Sequence, residues 1–167
     1  DSLSIFRLAL SSTGEFTDFH GGDISKVLSV MLKMVNLVNA VFERDLGVRF
    51  VLIDRTDDLI FQFANADPFT QGNESSENQQ LLDRIIGDNN YDIGHVFSTG
   101  GGGIAQLNSP CGTGKGAGGG VTPRLVVRLV GRLRLLLGLP RRATKSTRSC
   151  AIRNAGTLLC GQRVSSC

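Results

Sequence analysis

Between Asp23 and Gly47 the chain carries an apolar stripe that a long helix satisfies and little else does. Val27, Val30, Met31, Met34, Leu37, Val38, Val41 and Phe42 recur at three- and four-residue steps, the spacing that stacks side chains on one face of a helix. Asp23 can cap the first turn by accepting from an orphan backbone N–H, and Gly47 supplies a stop. The expected helix therefore runs from residue 24 to 46. A helix with one broad apolar face needs a second layer to bury it against, and the flanking segments offer strands.

Residues 5–17 (IFRLALSSTGEFT) open with Phe6, Leu8 and Leu10 in alternation, the pattern of a half-buried strand, and Gly14 loosens its end. VRFVLID, 48–54, is rich in β-branched and aromatic residues and reads as a second strand. LIFQF, 59–63, is a short strand candidate. Residues 64–78 are polar, with Pro68, and read as a surface loop. Leu81, Leu82, Ile85 and Ile86 predict a short helix over 79–86, ended by Gly87, and YDIGHVFS, 91–98, predicts another strand. Strand, helix, strand, strand, helix, strand is an α/β order, so the expected fold is a twisted, mostly parallel sheet with helices against it, around one core.

Charge divides the chain near Pro123. Residues 1–123 hold eight Lys or Arg and all fifteen Asp or Glu, a net charge of −7, whereas residues 124–167 hold ten bases and no acid, +10. Every aromatic residue lies at or before Phe97, so the tail has no ring with which to anchor a core. Residues 98–123 are dense in glycine, which predicts little ordered structure there. In 124–139, Arg124, Arg128 and Arg132 share a face at four-residue spacing and suggest an amphipathic helix, which Gly131 and Gly138 weaken by about 1 kcal/mol each. Residues 140–167 show no period. No run of about 18 apolar residues occurs, so no membrane span is expected. The chain starts at Asp1 without Met or a leader-like segment, which reads as a processed or partial chain whose targeting signal has been lost.

The chemistry-bearing residues are sparse. Lys115 in CGTGKGAGGG resembles a phosphate loop only superficially: Ser109 stands where the pattern needs its first Gly, and Gly116 where it needs Ser or Thr. A flexible surface loop is the expectation for Lys115. His20 and His95 lie in unrelated segments and form no pair four residues apart, so a shared zinc ion is not predicted; His95 reads as a hydrogen-bonded structural residue. Glu15 and Asp18 read as solvated acids. Cys111, Cys150, Cys160 and Cys167 permit disulfides but form no CxxC pair or zinc spacing, which leaves the redox compartment open. The basic tail admits three readings. It is a nucleic-acid arm with salt-dependent binding, an amphipathic helix for an anionic membrane or a partner's groove, or an aberrant ending. A shifted frame in GC-rich coding sequence yields the same bias toward Arg, Gly, Ala, Ser and Leu.

Three blocks, FRLALSSTGEFTDFHGG, MVNLVNAVFERDLGVRFVLI and NYDIGHVFSTGGGGIA, followed by Cys111-Gly112, occur in an order that resembles the N-terminal part of bacterial reprolysin-like zinc metallopeptidases of the metzincin class. The likeness spans about residues 5–122. It implies a catalytic domain with a five-stranded sheet backed by two helices, and an edge strand whose glycines form the upper rim of a substrate cleft. Carried onto this sequence, the rim is Gly102, Gly103, Ile104 and Ala105, and it would pair with the backbone of an extended peptide or protein substrate. The resemblance also implies secretion or a cell-surface location. In the family a later helix carries HExxHxxGxxH, three zinc-binding histidines and a Glu that deprotonates the zinc-bound water.

This chain departs from the pattern where that chemistry starts. After GGGVTP, the family's linker, acid-containing strand and zinc helix give way to the Arg/Leu-rich tail, with no His beyond His95 and no Glu beyond Glu77. The expectation is therefore a metzincin-like N-terminal subdomain over 1–122 and an atypical, frameshifted or disordered tail over 123–167. It has no catalytic residue, no metal ligand and no zinc of its own, although zinc serves the parent family. The alternatives are a non-catalytic α/β binding module whose tail engages nucleic acid or an anionic surface, and a protein that keeps the rim and binds peptides without cutting them.

Overall fold

The computed structural model describes residues 3–106 and 109–121. In chain order the elements are β1 (Ser4–Ser12), α1 (Gly14–Phe19), α2 (Ile24–Leu46), β2 (Val48–Leu52), a 3-10 turn (Thr56–Leu59), α3 (Glu74–Ile85), a second 3-10 turn (Asp88–Asn90), β3 (Ile93–Ser98), β4 (Gly103–Ile104) and β5 (Gly118–Val121). The five strands form one sheet in the order β2-β1-β3-β5-β4. All neighbours are parallel except β4, which runs antiparallel to β5. This is the mostly parallel α/β sheet expected from the order of elements.

Helix α2 occupies the predicted span and is closed at both ends as predicted. The Asp23 carboxylate accepts from the backbone N–H of Ser25 and Lys26, and Gly47 adopts a left-handed φ of 64° that lets its N–H reach back to the last turn. Val27, Met31, Met34 and Val35 are buried against Leu8, Leu10, Phe16 and Ile60. Each such side chain contributes roughly 1.5–3 kcal/mol through lost apolar exposure. By length and composition α2 is also apolar enough to cross a membrane, with a mean hydropathy of 1.5; Val27, Met31, Met34 and Val35 pack on the sheet, whereas Leu37, Val38 and Val41 of the predicted stripe stay exposed.

Alternate residues of β1 serve two cores. Leu8 and Leu10 face α2, whereas Ala9 joins Leu59, Leu82, Ile86 and Tyr91 on the side of α3. The two long helices thus cover opposite faces. Asn39 ties α2 to β2 by donating to Phe50 O and accepting from Phe50 N, both at 2.8 Å. Arg7 ties β1 to the entry of β3 through Asp92.

Four expectations need correction. The first strand ends at Ser12, because the Thr13 hydroxyl accepts from Phe16 N and caps the short helix α1. LIFQF is not a strand: Leu59 ends a 3-10 turn, and only Ile60 makes an isolated bridge, to Ser12. Helix α3 begins at Glu74, not 79, so the last third of the predicted loop is helical. Its polar start is held by Glu74 accepting from Gly72 N at 2.8 Å and Glu77 accepting from Thr70 N at 2.6 Å. The glycine-rich stretch is ordered over 109–121 and supplies β5.

The reason for the last correction is close approach. A Cβ at Gly94 would stand 2.3 Å from Leu82 Cδ1 and 2.7 Å from Gly116 Cα, and one at Gly118 would stand 2.8 Å from Gly94 O. The chain entering β5 lies too near β3 and α3 for side chains, so glycine here marks tight packing and not looseness. The predicted helix over 124–139 and the rest of the basic tail lie outside the described residues.

Candidate peptide-binding edge

The predicted rim falls at the outer edge of the sheet. Gly103 and Ile104 form β4, paired on one side with Gly120 and Gly119 of β5. Gly102 precedes them with φ of 99°, a left-handed value that glycine tolerates, and Ala105 follows the strand. All four are exposed, Ile104 at 59%. Since β4 is last in the sheet order, its far side has no strand neighbour among the described residues, and an edge of this kind is a template for pairing with another extended backbone.

Beside the edge lies a groove of about 220 Å³, lined by Gln71, Glu74 and Ser75 at the start of α3 and by Ser98 and Ile104 near β4. Glu74 Oε1 accepts from the Ser98 hydroxyl at 3.3 Å, linking the helix to the end of β3. Three rim residues, Gly102, Gly103 and Ile104, line this groove; Ala105 does not.

A buried polar network fixes the strand behind the rim. Asn78, fully buried, accepts from the Ser11 hydroxyl and donates to Gly116 O at 2.7 Å. Gln79 accepts from Gly116 N at 2.6 Å and donates to the Tyr91 hydroxyl at 2.8 Å, which in turn donates to Asp83 at 2.7 Å. Burial, together with the bond to Asp83, pushes the Tyr91 phenol up from its ordinary range, so it remains a neutral donor. Lys115 is not a flexible surface residue. It is 5% exposed, its ammonium donates to Asp88 O, pairs with Asp88 Oδ1 at 3.0 Å and sits 4.7 Å from the centre of the Tyr91 ring. No part of this arrangement resembles a phosphate cradle; Lys115 anchors the turn that leads into β5. Its side-chain partners come from positions 88 and 91, a pair visible only once the fold brings them together.

The two histidines do not meet. His20 packs on Phe16 at 4.6 Å, Phe16 stacks on Phe97 at 5.2 Å, and Phe97 meets His95 edge-on at 5.3 Å, so the imidazoles occupy the two ends of a row of four rings. Burial lowers the proton affinity of both. His20 Nε2 is buried without a hydrogen-bond partner among the described residues, yet no second donor converges on it. Glu15 and Asp18 are exposed on α1, and Cys111 is disulfide-bonded. Zinc needs three or four converging N, S or O donors, and among the described residues no group of three His, Cys, Asp or Glu is so arranged. The described residues do not bring together the donors of the zinc site that the resemblance implies.

A family model for metallo-peptidase family M12B, reprolysin-like, matches residues 3–122. The match takes in all five strands and all three helices. No curated protein matches the chain.

Proposed function

The chain belongs to metallopeptidase family M12B, the reprolysin-like group, and from that premise we propose that residues 1–122 are the substrate-holding subdomain of such a peptidase, here without its hydrolytic centre. The observation that carries this reading is the outer edge of β4, which has no strand neighbour among the described residues, beside a groove. Gly102, Gly103, Ile104 and Ala105 would receive an extended peptide as an added strand, with backbone bonds supplying affinity and alternate side chains supplying specificity. Hydrolysis is a separate requirement, and the 167 residues contain no HExxHxxGxxH. In this reading residues 123–167 are an atypical ending that replaces the zinc-bearing part, and the parent reaction is zinc-dependent cleavage of internal peptide bonds. The family's habit of acting outside the cell or at its surface agrees with the disulfide at Cys111.

The test is amide-resolved titration of the full chain with an extended, β-branched peptide. Shifts confined to residues 102–105 and their β5 partners support the edge, and no response at millimolar peptide refutes it. A second reading follows from the charge split: the +10 tail serves as a nucleic-acid arm. Duplex binding that survives deletion of residues 124–167, or that ignores salt, rules it out.

A further inference from the structure

The sheet register decides which side chain of an added peptide would enter the groove. Ile104 lies opposite Gly119, and a Cβ at Gly119 would point to Ser75 and Val96, 3.2 and 3.4 Å away. Ile104 therefore stands on the α3 side of the sheet. Side chains alternate along a strand and cross-strand partners share a face, so a peptide residue opposite Ile104 would enter the groove while its two neighbours turn away. From that position one strand spacing, about 4.8 Å, separates the peptide from β4. A long side chain is needed to reach Glu74, the charged residue of the groove lining.

We infer that Glu74 makes this groove a subsite for a Lys or Arg side chain, an inference that rests on the strand-addition reading above. Glu74 is half-buried and held in place by bonds from Gly72 N and the Ser98 hydroxyl, so little side-chain order is lost when a cation arrives. Those two contacts leave carboxylate lone pairs open, since a carboxylate has about four acceptor sites. The opposing field is the α3 N-terminus, worth about half a positive charge. Against it stand the full charges of Glu74 and of Glu77 one turn on. The balance remains negative, and the surrounding residues 1–123 carry −7.

The experiment uses the full chain and three fluorescein-labelled peptides, TVKVT, TVAVT and TVEVT, read by anisotropy at low salt. The Lys peptide should bind about fivefold tighter than the Ala peptide, the advantage expected of a partly exposed ion pair, and the Glu peptide weakest. Glu74→Gln, which keeps an acceptor for Gly72 N, should erase the Lys preference, so that the Lys and Ala peptides bind the variant within about twofold of one another. Equal binding of the Lys and Ala peptides by the unsubstituted chain overturns the subsite and leaves strand addition standing. Failure of all three to bind at millimolar concentration overturns both. Because the unsubstituted chain alone discriminates these outcomes, poor folding of the variant does not blunt the test.

Discussion

Arg7 and Asp92 lock the seam between β1 and β3: Arg7 Nη2 donates to Asp92 Oδ1 at 2.6 Å, Nε to Oδ2 at 3.1 Å, and the Arg7 backbone N–H to the same Oδ2 at 2.6 Å. The Asp92 side chain is fully buried, whereas Arg7 keeps 31% exposure. Burial alone would raise the Asp92 pKa; the bonds and charge of Arg7 outweigh it and leave the carboxyl below its ordinary value.

Removing Arg7 should therefore strand a buried charge. Arg7→Gln is expected to cost about 3 kcal/mol in urea unfolding at pH 7. Because the folded pKa of Asp92 is depressed, its contribution is complete above the unfolded value near 3.9 and fades as pH falls through the folded one. The gap between the two proteins should narrow below about pH 4; a gap that persists unchanged at pH 2 contradicts this account.

The closeness of β5 to β3 predicts that Gly94 tolerates no side chain. Gly94→Ala meets Gly116 backbone at 2.7 Å, and overpacking of this kind costs about 1–3 kcal/mol. Hydrogen exchange should accelerate selectively over 115–121, with β1 and β2 keeping their protection. Unchanged exchange there would mean that β5 does not depend on the contact.

Asn78 bridges β1 to the entry of β5 through Ser11 and Gly116. Asn78→Leu leaves a buried hydroxyl and a buried carbonyl unpaired, at roughly 2 kcal/mol. Thermal unfolding that matches the parent protein would show that the network carries no stability.

The elements legible in the sequence are those whose signals are local. The stripe of α2, its Asp23 cap and its Gly47 stop lie within one segment, and so the helix is found to its ends. Val96 and Phe97 identify β3 for the same reason. Strand β5 is GGGV, and its sequence carries no strand signal, because what selects glycine there is the closeness of Gly118 to Gly94 O and of Gly119 to Ser75 and Val96. The start of α3 is hidden because ESSEN is polar throughout and its stabilising partners, Thr70 N and Gly72 N, belong to the preceding turn. Of the site, the rim segment is readable through family likeness alone, while the groove needs α3 and β3 side by side. Lys115 was misleading for a physical reason: a glycine-rich run around a lysine looks mobile until Asp88 and Tyr91 are brought against it.

The abrupt loss of acids, aromatics and histidines beyond the matched residues carries a genetic prediction. The nucleotide sequence around codons 115–130, read in its other two frames, should encode HExxH downstream of GGGVTP. Absence of that motif from every frame would favour a native basic ending.

The most direct measurement joins zinc content to hydrolysis in one sample. The purified chain, incubated with casein and equimolar zinc with or without chelator and followed by mass spectrometry, should retain no stoichiometric zinc and release no peptides. Chelator-sensitive cleavage with one zinc bound per chain would contradict the central claim that this protein holds peptides at a metallopeptidase edge without cutting them.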